Sequence, residues 1–484
     1  RDGGDGLSMI NPADIESVNI LRGANAAILY GSLGANGVIL IPTKKGKAGK
    51  ASVDFSSSTI FDKVANLPDF QFRYGTTGGD YSWGYPKMKT ATTPGFVNTD
   101  LINFAAKSPV QNITSDSYQK NYINDFFRTG GTYTNAVAIR GGNDKTTAYF
   151  SYANTAATGV MPTNTYMKNN FAFNQSTKLL NDKLVISSNI MLASERSKNR
   201  PGAGYYNNPL TGLFLFGRDR DFNAFKNKYQ FFDSTRNMYK MNWYSTEEKQ
   251  NNPFWELYND PQIATSKRAI ASLKLSYQIA DGLKFEVRGN IDYNTVERDY
   301  RFAANGNSVS VSSNGKWDYT KYTDQSIYTD GILTYSKNFG NFSLAALAGL
   351  AYQKNDFGNG ISVNNNTTPL QYPNFFTFAN IPNNVMFTTP SSFLRTVKQG
   401  AFANATIGFK DFVFLDLAAR NDWASTLALT GNQSYLYPSI GASAVISQMV
   451  ELPRAISFLK VRASLSQTAN EVPFNVVNPW NSIG

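Results

Sequence analysis

Bond chemistry in this 484-residue chain would fall to carboxylates, hydroxyls and amines, because the sequence contains no Cys and no His. That excludes cysteine nucleophiles, thiolate and imidazole metal sites, Ser-His-Asp triads and imidazole proton transfer. Carboxylate-based hydrolysis survives, but no paired-acid constellation is visible. Asp2, Asp5 and Asp80 stand beside glycines and invite a calcium reading, yet no DxDxDG run with a distal Glu exists. Gly31, Gly34 and Gly37 invite a phosphate loop. Their spacing is GxxGxxG, with no following helix to offer an anion site, so they read as turn glycines. No catalytic residue, metal ligand or cofactor is expected, and the chain does not read as an enzyme.

The residues best suited to non-covalent chemistry are aromatic. Between 198 and 267, 15 of 70 residues are Phe, Tyr or Trp, against 14% overall. Tyr205, Tyr206, Phe231, Phe232, Trp243, Tyr244 and Trp255 stand out among Asn and Asp. Aromatic faces with polar neighbours suit sugar rings, and equally suit peptides, loop-on-loop packing or a docking surface. The net charge of +11 would draw anionic lipid or acidic substrate. The basic residues are scattered and make no stripe, so nucleic-acid binding is not expected.

The elements that must hold these residues are strands. High Tyr, Phe, Asn, Thr and Gly with modest Leu favour β-structure. No apolar run of about 18 residues exists, so no membrane-spanning helix is expected. The mean hydropathy of -0.34 does not exclude a transmembrane barrel, in which only every second strand residue meets lipid. A period of two dominates from 51 onward. In 283–293 the odd positions are Leu283, Phe285, Val287, Gly289, Ile291 and Tyr293. The even ones are Lys284, Glu286, Arg288, Asn290 and Asp292. The same alternation predicts thirteen strands, at 51–64, 132–141, 145–155, 166–178, 183–197, 268–279, 283–300, 324–337, 341–357, 395–408, 412–424, 437–449 and 457–470. Tyr133 and Tyr293 are expected as interfacial anchors near strand ends.

A soluble sandwich with one wetted face would alternate in the same way, so the connections decide. Short turns at 142–144, 179–182, 280–282, 338–340 and 410–411 alternate with longer links at 65–131, 156–165, 198–267, 301–323, 358–394 and 425–436. Tight turns at one end and large loops at the other are the outer-membrane barrel plan. Thirteen strands do not close a barrel wide enough to hold an internal plug, which takes about 22. The sequence also opens on Arg1 and stops at Gly484 without a terminal strand. It is therefore expected to be a piece of a larger barrel.

The first fifty residues differ. Asn11, Pro12 and Asp14 have helix-start grammar. A short strand over 17–21, one or two helical turns over 24–30 and a buried strand over 37–41 are predicted. This α+β piece is too short to hold a core of its own.

The wording of this region resembles a known family. Asn11-Pro12-Ala13-Asp14-Ile15-Glu16-Ser17-Val18 runs on to Ile20-Leu21-Arg22-Gly23. Ala26-Ala27-Ile28-Leu29-Tyr30-Gly31-Ser32, Gly34-Ala35-Asn36-Gly37-Val38-Ile39-Leu40-Ile41 and Thr43-Lys44-Lys45-Gly46 follow. The stretch resembles the end of the plug domain in SusC/RagA-like TonB-dependent transporters of Bacteroidota. Asn124-Asp125-Phe126-Phe127-Arg128-Thr129-Gly130, Gly141-Gly142-Asn143-Asp144, Asn252-Pro253-Phe254-Trp255 and Leu459-Lys460-Val461-Arg462 are similar to the same family's barrel. Two departures are Pro42, where the family usually keeps Thr or Ser, and Thr468-Ala469-Asn470 in place of Thr-Gly-Asn. Pro42 removes a ladder donor, so the last plug strand is expected to be an edge or to stop early.

The resemblance implies a fold class: an all-β transmembrane barrel of about 22 strands, preceded by a small α+β plug. Residues 1–50 would be the end of the plug, and 51–484 the first half to two-thirds of the barrel. It implies import across the outer membrane of a Gram-negative bacterium, with oligosaccharide or peptide as substrate. The implied partners are a SusD-like surface lipoprotein lid, TonB through a segment absent from this sequence, and outer-membrane lipid or lipopolysaccharide. An adhesin or structural barrel is the alternative, although it needs no displaceable plug.

Overall fold

A computed structural model describes residues 9–21, 31–34, 37–68, 121–202, 204–217, 220–245, 250–382, 387–390, 393–453, 456–467, 472–473 and 476–477. The helical turns expected over 24–30 lie outside these residues. So do Asp2, Asp5, Arg22, Gly23, Tyr30, Asn36, Asp80 and the departure at 468–470.

The chain first makes two three-residue strands, β1 (Asn19–Leu21) and β2 (Val38–Leu40), paired antiparallel. Next come β3 (Gly49–Asp62), β4 (Gly130–Gly142), β5 (Thr146–Thr158), β6 (Thr165–Leu179) and β7 (Leu184–Lys198). A separate hairpin, β8 (Gln230–Asp233) and β9 (Met238–Met241), interrupts the series. It resumes with β10 (Gln262–Ala280), β11 (Leu283–Phe302), β12 (Lys316–Phe339) and β13 (Phe342–Asn364). The short β14 (Phe387–Pro390) precedes β15 (Leu394–Phe409), β16 (Val413–Ala424), β17 (Ser434–Val445) and β18 (Lys460–Ser466).

Thirteen of these strands form one antiparallel sheet in sequence order from β3 to β18, with β14 paired only to β13. They are the thirteen that the alternation marks. A sandwich would have split them into two sheets. Among the described residues β3 and β18 form the two edges of the sheet.

The register sorts side chains cleanly. Leu273, Leu275, Phe285, Val287, Ile291, Leu333, Leu350, Leu417 and Ile440 are exposed on one face. On the other, Arg268 pairs with Asp292 at 2.6 Å, Arg420 with Asp422 at 2.7 Å, and Arg288 Nε donates to Asp330 at 2.8 Å. Charges that alternate with leucines along a strand thus find counter-charges on the same face, across strands for Arg268–Asp292 and Arg288–Asp330 and two residues on within β16 for Arg420–Asp422.

Three differences from expectation have plain causes. Several strands run longer at the loop end. The two longest, β12 and β13, span 24 and 23 residues, their extensions pinned by Trp317 and Val363, which pack in one hydrophobic cluster with Leu370 and Ile381. Tyr293 is therefore mid-strand rather than near a strand end, although it is exposed as expected. The turn end is not uniformly tight either, since 446–459, between β17 and β18, includes a short 3-10 helix.

The tight turns rely on left-handed backbone. Gly282 has φ +73°, and a Cβ there would collide with the Ser336 carbonyl on β12. Gly282→Val is expected to cost about 1–2 kcal/mol from the backbone conformation alone. The full-length protein should then lose its heat-resistant folded band at a lower temperature, whereas Asp281→Ala leaves that temperature unchanged.

Candidate functional site

Two assemblies flank the sheet: the leading segment on its polar face, and a folded insertion at the long-loop end.

In the leading segment Asn11 caps a three-residue 3-10 helix, Pro12–Asp14, accepting from the Ala13 N–H at 3.1 Å. The chain then pairs with its own later part. Ile15 bridges Thr43, the Glu16 N–H donates to Pro42 O at 2.9 Å, and the Lys44 N–H donates to Asp14 O at 2.8 Å. The strand stops at Leu40, two residues before Pro42, as the missing donor requires. Gly31–Gly34 form another 3-10 turn, and the Gly37 N–H closes on Gly34 O at 2.9 Å, so these glycines do serve as turns.

This segment lies on the polar face of the sheet. Tyr149 on β5, 1% exposed, donates its hydroxyl to the buried Asp14 carboxylate at 2.8 Å. Asn170 on β6 donates to Met9 O at 2.5 Å, and Asn174 to Lys44 O at 2.6 Å. The Asn174 and Asn189 amides both reach the Thr43 hydroxyl at 3.3 Å. Gly46 lies so close to the Ala148 backbone that no Cβ would fit. Farther along the sheet, Gly31, with φ +66°, lies directly on the Arg420–Asp422 pair of β16, where a Cβ would strike the Asp422 carboxylate.

The contact is mostly polar, with one apolar patch where Met9 and Ile10 meet Met191, Ala193 and Ile270. Each hydrogen bond nets only about 0.5–1.5 kcal/mol against water, so the interface can be exchanged for solvation without exposing an apolar core. Sequence reasoning missed Tyr149, Asn170, Asn174 and Asn189. A usable signal was present, since all four fall at the inward parity of their strands.

The insertion between β7 and β10 has its own core. Helices Pro209–Leu215, Phe222–Asn227 and Pro253–Asn259 enclose Leu213, Phe216, Phe222, Phe254 and Leu257. Tyr122, Ile123 and Phe126, from the helix Tyr122–Phe126 before β4, and Met161 complete it. Asn252 explains the Asn252-Pro253-Phe254-Trp255 motif. Its side chain accepts from the Phe254 N–H at 2.9 Å, and donates to Phe225 O at 3.0 Å and Asn242 O at 2.9 Å. One buried amide therefore caps the helix and ties it to two other parts of the insertion.

The aromatics that stand out in the sequence separate into two groups. Trp255 is 1% exposed, packed with Met241 and Ala303. Trp243 and Tyr244 pack against the core, with Phe216 5.4 Å from each ring. The Tyr244 hydroxyl also donates to Gln250 and Leu215 O. Burial leaves the Trp255 ring with no face for a ligand, which corrects the expectation of a substrate contact there. Tyr205 (67% exposed), Tyr206 and Phe231 (49%) point outward, as do Phe232, Tyr239 and Tyr258. Ring chemistry alone could not separate the groups, because a Trp that fills a core and a Trp that binds a sugar look alike in sequence.

With this geometry established, comparison with known proteins is informative. Residues 1–38 match the family model of the TonB-dependent Receptor Plug Domain. TonB-dependent receptor SusC of Bacteroides thetaiotaomicron is 29% identical over 306 residues, covering 62% of this chain and 26% of that protein. TonB-dependent receptor P3 of Formosa agariphila is 23% identical across 100% of this chain and 45% of its own length. The closed-closed structure of the RagAB peptide importer superposes with a TM-score of 0.70 at 18% identity, covering 96% of this chain and 52% of that one. In sequence the chain resembles SusC/RagA-like TonB-dependent receptors, and its fold superposes on one of them. It spans between about a quarter and about half the length of these relatives. The thirteen-stranded sheet is thus barrel wall, and the matched residues on its polar face belong to the plug.

Two predictions follow from the packing. Tyr149→Phe leaves the buried Asp14 carboxylate without that donor, at a cost of about 1–3 kcal/mol. Protease should cleave the leading segment of the full-length variant faster than that of wild type, and unchanged cleavage would show that the contact does not hold it. Trp255→Ala should destabilise the insertion by about 3–5 kcal/mol, read as faster proteolysis between β7 and β10 while the strands stay protected.

Proposed function

We propose that this chain supplies the end of the plug, residues 1–50, and about half of the barrel, 51–484, of an energy-coupled importer. It would sit in the outer membrane of a Gram-negative bacterium. The observation that carries this reading is the two-faced sheet. Its apolar parity is left exposed, while its polar parity holds the plug through exchangeable hydrogen bonds. An open apolar face of this size suits lipid, and anionic lipopolysaccharide suits a chain of net charge +11. A polar seal suits a gate that a periplasmic pull by TonB displaces. An adhesin has no use for such a seal.

Substrate, in this reading, is an oligosaccharide or peptide, held at the loop end by Tyr205, Tyr206 and Phe231, with Phe232 and Tyr239 beside them. A SusD-like surface lipoprotein would close over the same end. Support for a peptide comes from the superposition on a protein described as a peptide importer. Support for a sugar comes from the exposed rings of Tyr205, Tyr206 and Phe231.

Uptake by cells with the full-length receptor tests the proposal. Accumulation of a labelled oligosaccharide or peptide should vanish on loss of TonB. Changing Tyr205, Tyr206 and Phe231 together to Ala should reduce it about tenfold or more, the equivalent of about 1.4 kcal/mol, without altering the amount of folded barrel. Uptake that survives loss of TonB would overturn the reading. Because the chain has no Cys, single cysteines also report the wall cleanly. Spin labels at Leu273→Cys and Leu275→Cys should be accessible to oxygen in lipid, and one at Lys274→Cys to a water-soluble relaxer.

A further inference from the structure

The insertion between β7 and β10 contains a small polar cavity that neither the plug contact nor the exposed aromatics use. It measures about 30 Å³ and is lined by Asn207, Glu256 and Asp260, with Asn199, Arg200 and Gln262 around them. A space of that size holds an ion with about one or two waters beside it.

The side chains around it are unusual. Glu256 is 6% exposed and Asp260 5%, and both lie at the helix Pro253–Asn259, Asp260 being its C-cap. The carbonyl end of a helix disfavours an anion, so the helix does not compensate Asp260. Asn251 donates to Glu256 Oε1 at 2.8 Å, and the Ala303 N–H donates to Asp260 Oδ1 at 2.7 Å. Glu256 Oε2 and Asn207 Oδ1 are sealed from solvent with no hydrogen-bond partner. Among the described residues no Lys or Arg forms an ion pair with either acid. Two buried carboxylates without a counter-charge are expensive.

We propose that this cavity is a calcium site, held by the Glu256 and Asp260 carboxylates and the Asn207 amide oxygen, with water completing the shell. The donor set is all oxygen, which excludes thiolate- or imidazole-seeking metals. Calcium tolerates irregular coordination, whereas magnesium demands a near-ideal octahedron. Among the described residues no group of three or more acidic side chains is placed to hold a metal, so amide and water oxygens must supply the rest. The ion links the two ends of the insertion: Asn207 follows β7, while Glu256 and Asp260 precede β10. Tyr205 and Tyr206 lie immediately before Asn207, so the ion fixes the loop that displays them. The site stands on its own geometry and does not depend on the transport reading.

Terbium reports on such a site, because Trp255, next to Glu256, can sensitise its emission. The full-length receptor, purified in detergent and stripped with a chelator, should show terbium emission that calcium displaces and magnesium does not. Glu256→Gln and Asp260→Asn should each weaken calcium binding roughly tenfold or more and abolish the calcium-dependent rise in melting temperature. Should both variants fail to fold, Asn207→Ala, at a half-buried loop position, should still lower calcium affinity severalfold. Wild-type protein without calcium-displaceable emission would overturn the proposal in favour of a water between protonated acids. Displaceable emission unchanged in every variant that folds would overturn it as well.

Discussion

Side chains on a β-strand point alternately to opposite sides, and this constraint governs the molecule. Thirteen strands with apolar residues at one parity, and amides, hydroxyls and ion pairs at the other, make a sheet that needs two different surroundings. Neither face can be traded for the other, because a slip of one residue would turn every leucine inward and every arginine outward. The cross-strand ion pairs Arg268–Asp292 and Arg288–Asp330 reinforce the register, since each joins charges that would be uncompensated on the opposite face.

The polar face does a second job. It offers Tyr149, Asn170, Asn174 and Asn189 to backbone and side-chain groups of the plug that would otherwise be solvated. A short α+β piece that cannot sustain its own core is thereby held by the wall. The loop insertion follows the opposite logic. Its aromatics pack on one another around Phe216, and a single buried Asn252 ties its turns together. One assembly is held by exchangeable hydrogen bonds and the other by a dry core, so they differ in how readily each can be displaced.

Much of the fold was legible beforehand because alternation is a local signal. The thirteen strands, five tight turns and the early stop of β2 before Pro42 needed only nearest-neighbour chemistry. The extra length of β12 and β13 was not foreseen, although Trp317 and Tyr319 alternate with Asp318 and Thr320, and Ile361 and Val363 flank Ser362. The candidate site was legible only in part. Tyr205, Tyr206 and Phe231 remain at the surface, while Trp243, Tyr244 and Trp255 turned inward. The difference lies in partners more than about ten residues away, such as Phe216 for Trp243 and Ala303 for Trp255.

By itself, then, the order of residues determined which positions share a face, where the chain reverses, and that no thiol or imidazole chemistry is available. Those properties follow from side-chain type and spacing along a few neighbouring positions. Only the folded arrangement decided that Tyr149 would meet Asp14, 135 residues earlier, or that Gly31 would lie against Asp422. Only it gathered Asn207, Glu256 and Asp260 around one cavity. Contacts of that kind depend on how strands far apart in the chain are brought together, and no local spacing encodes them.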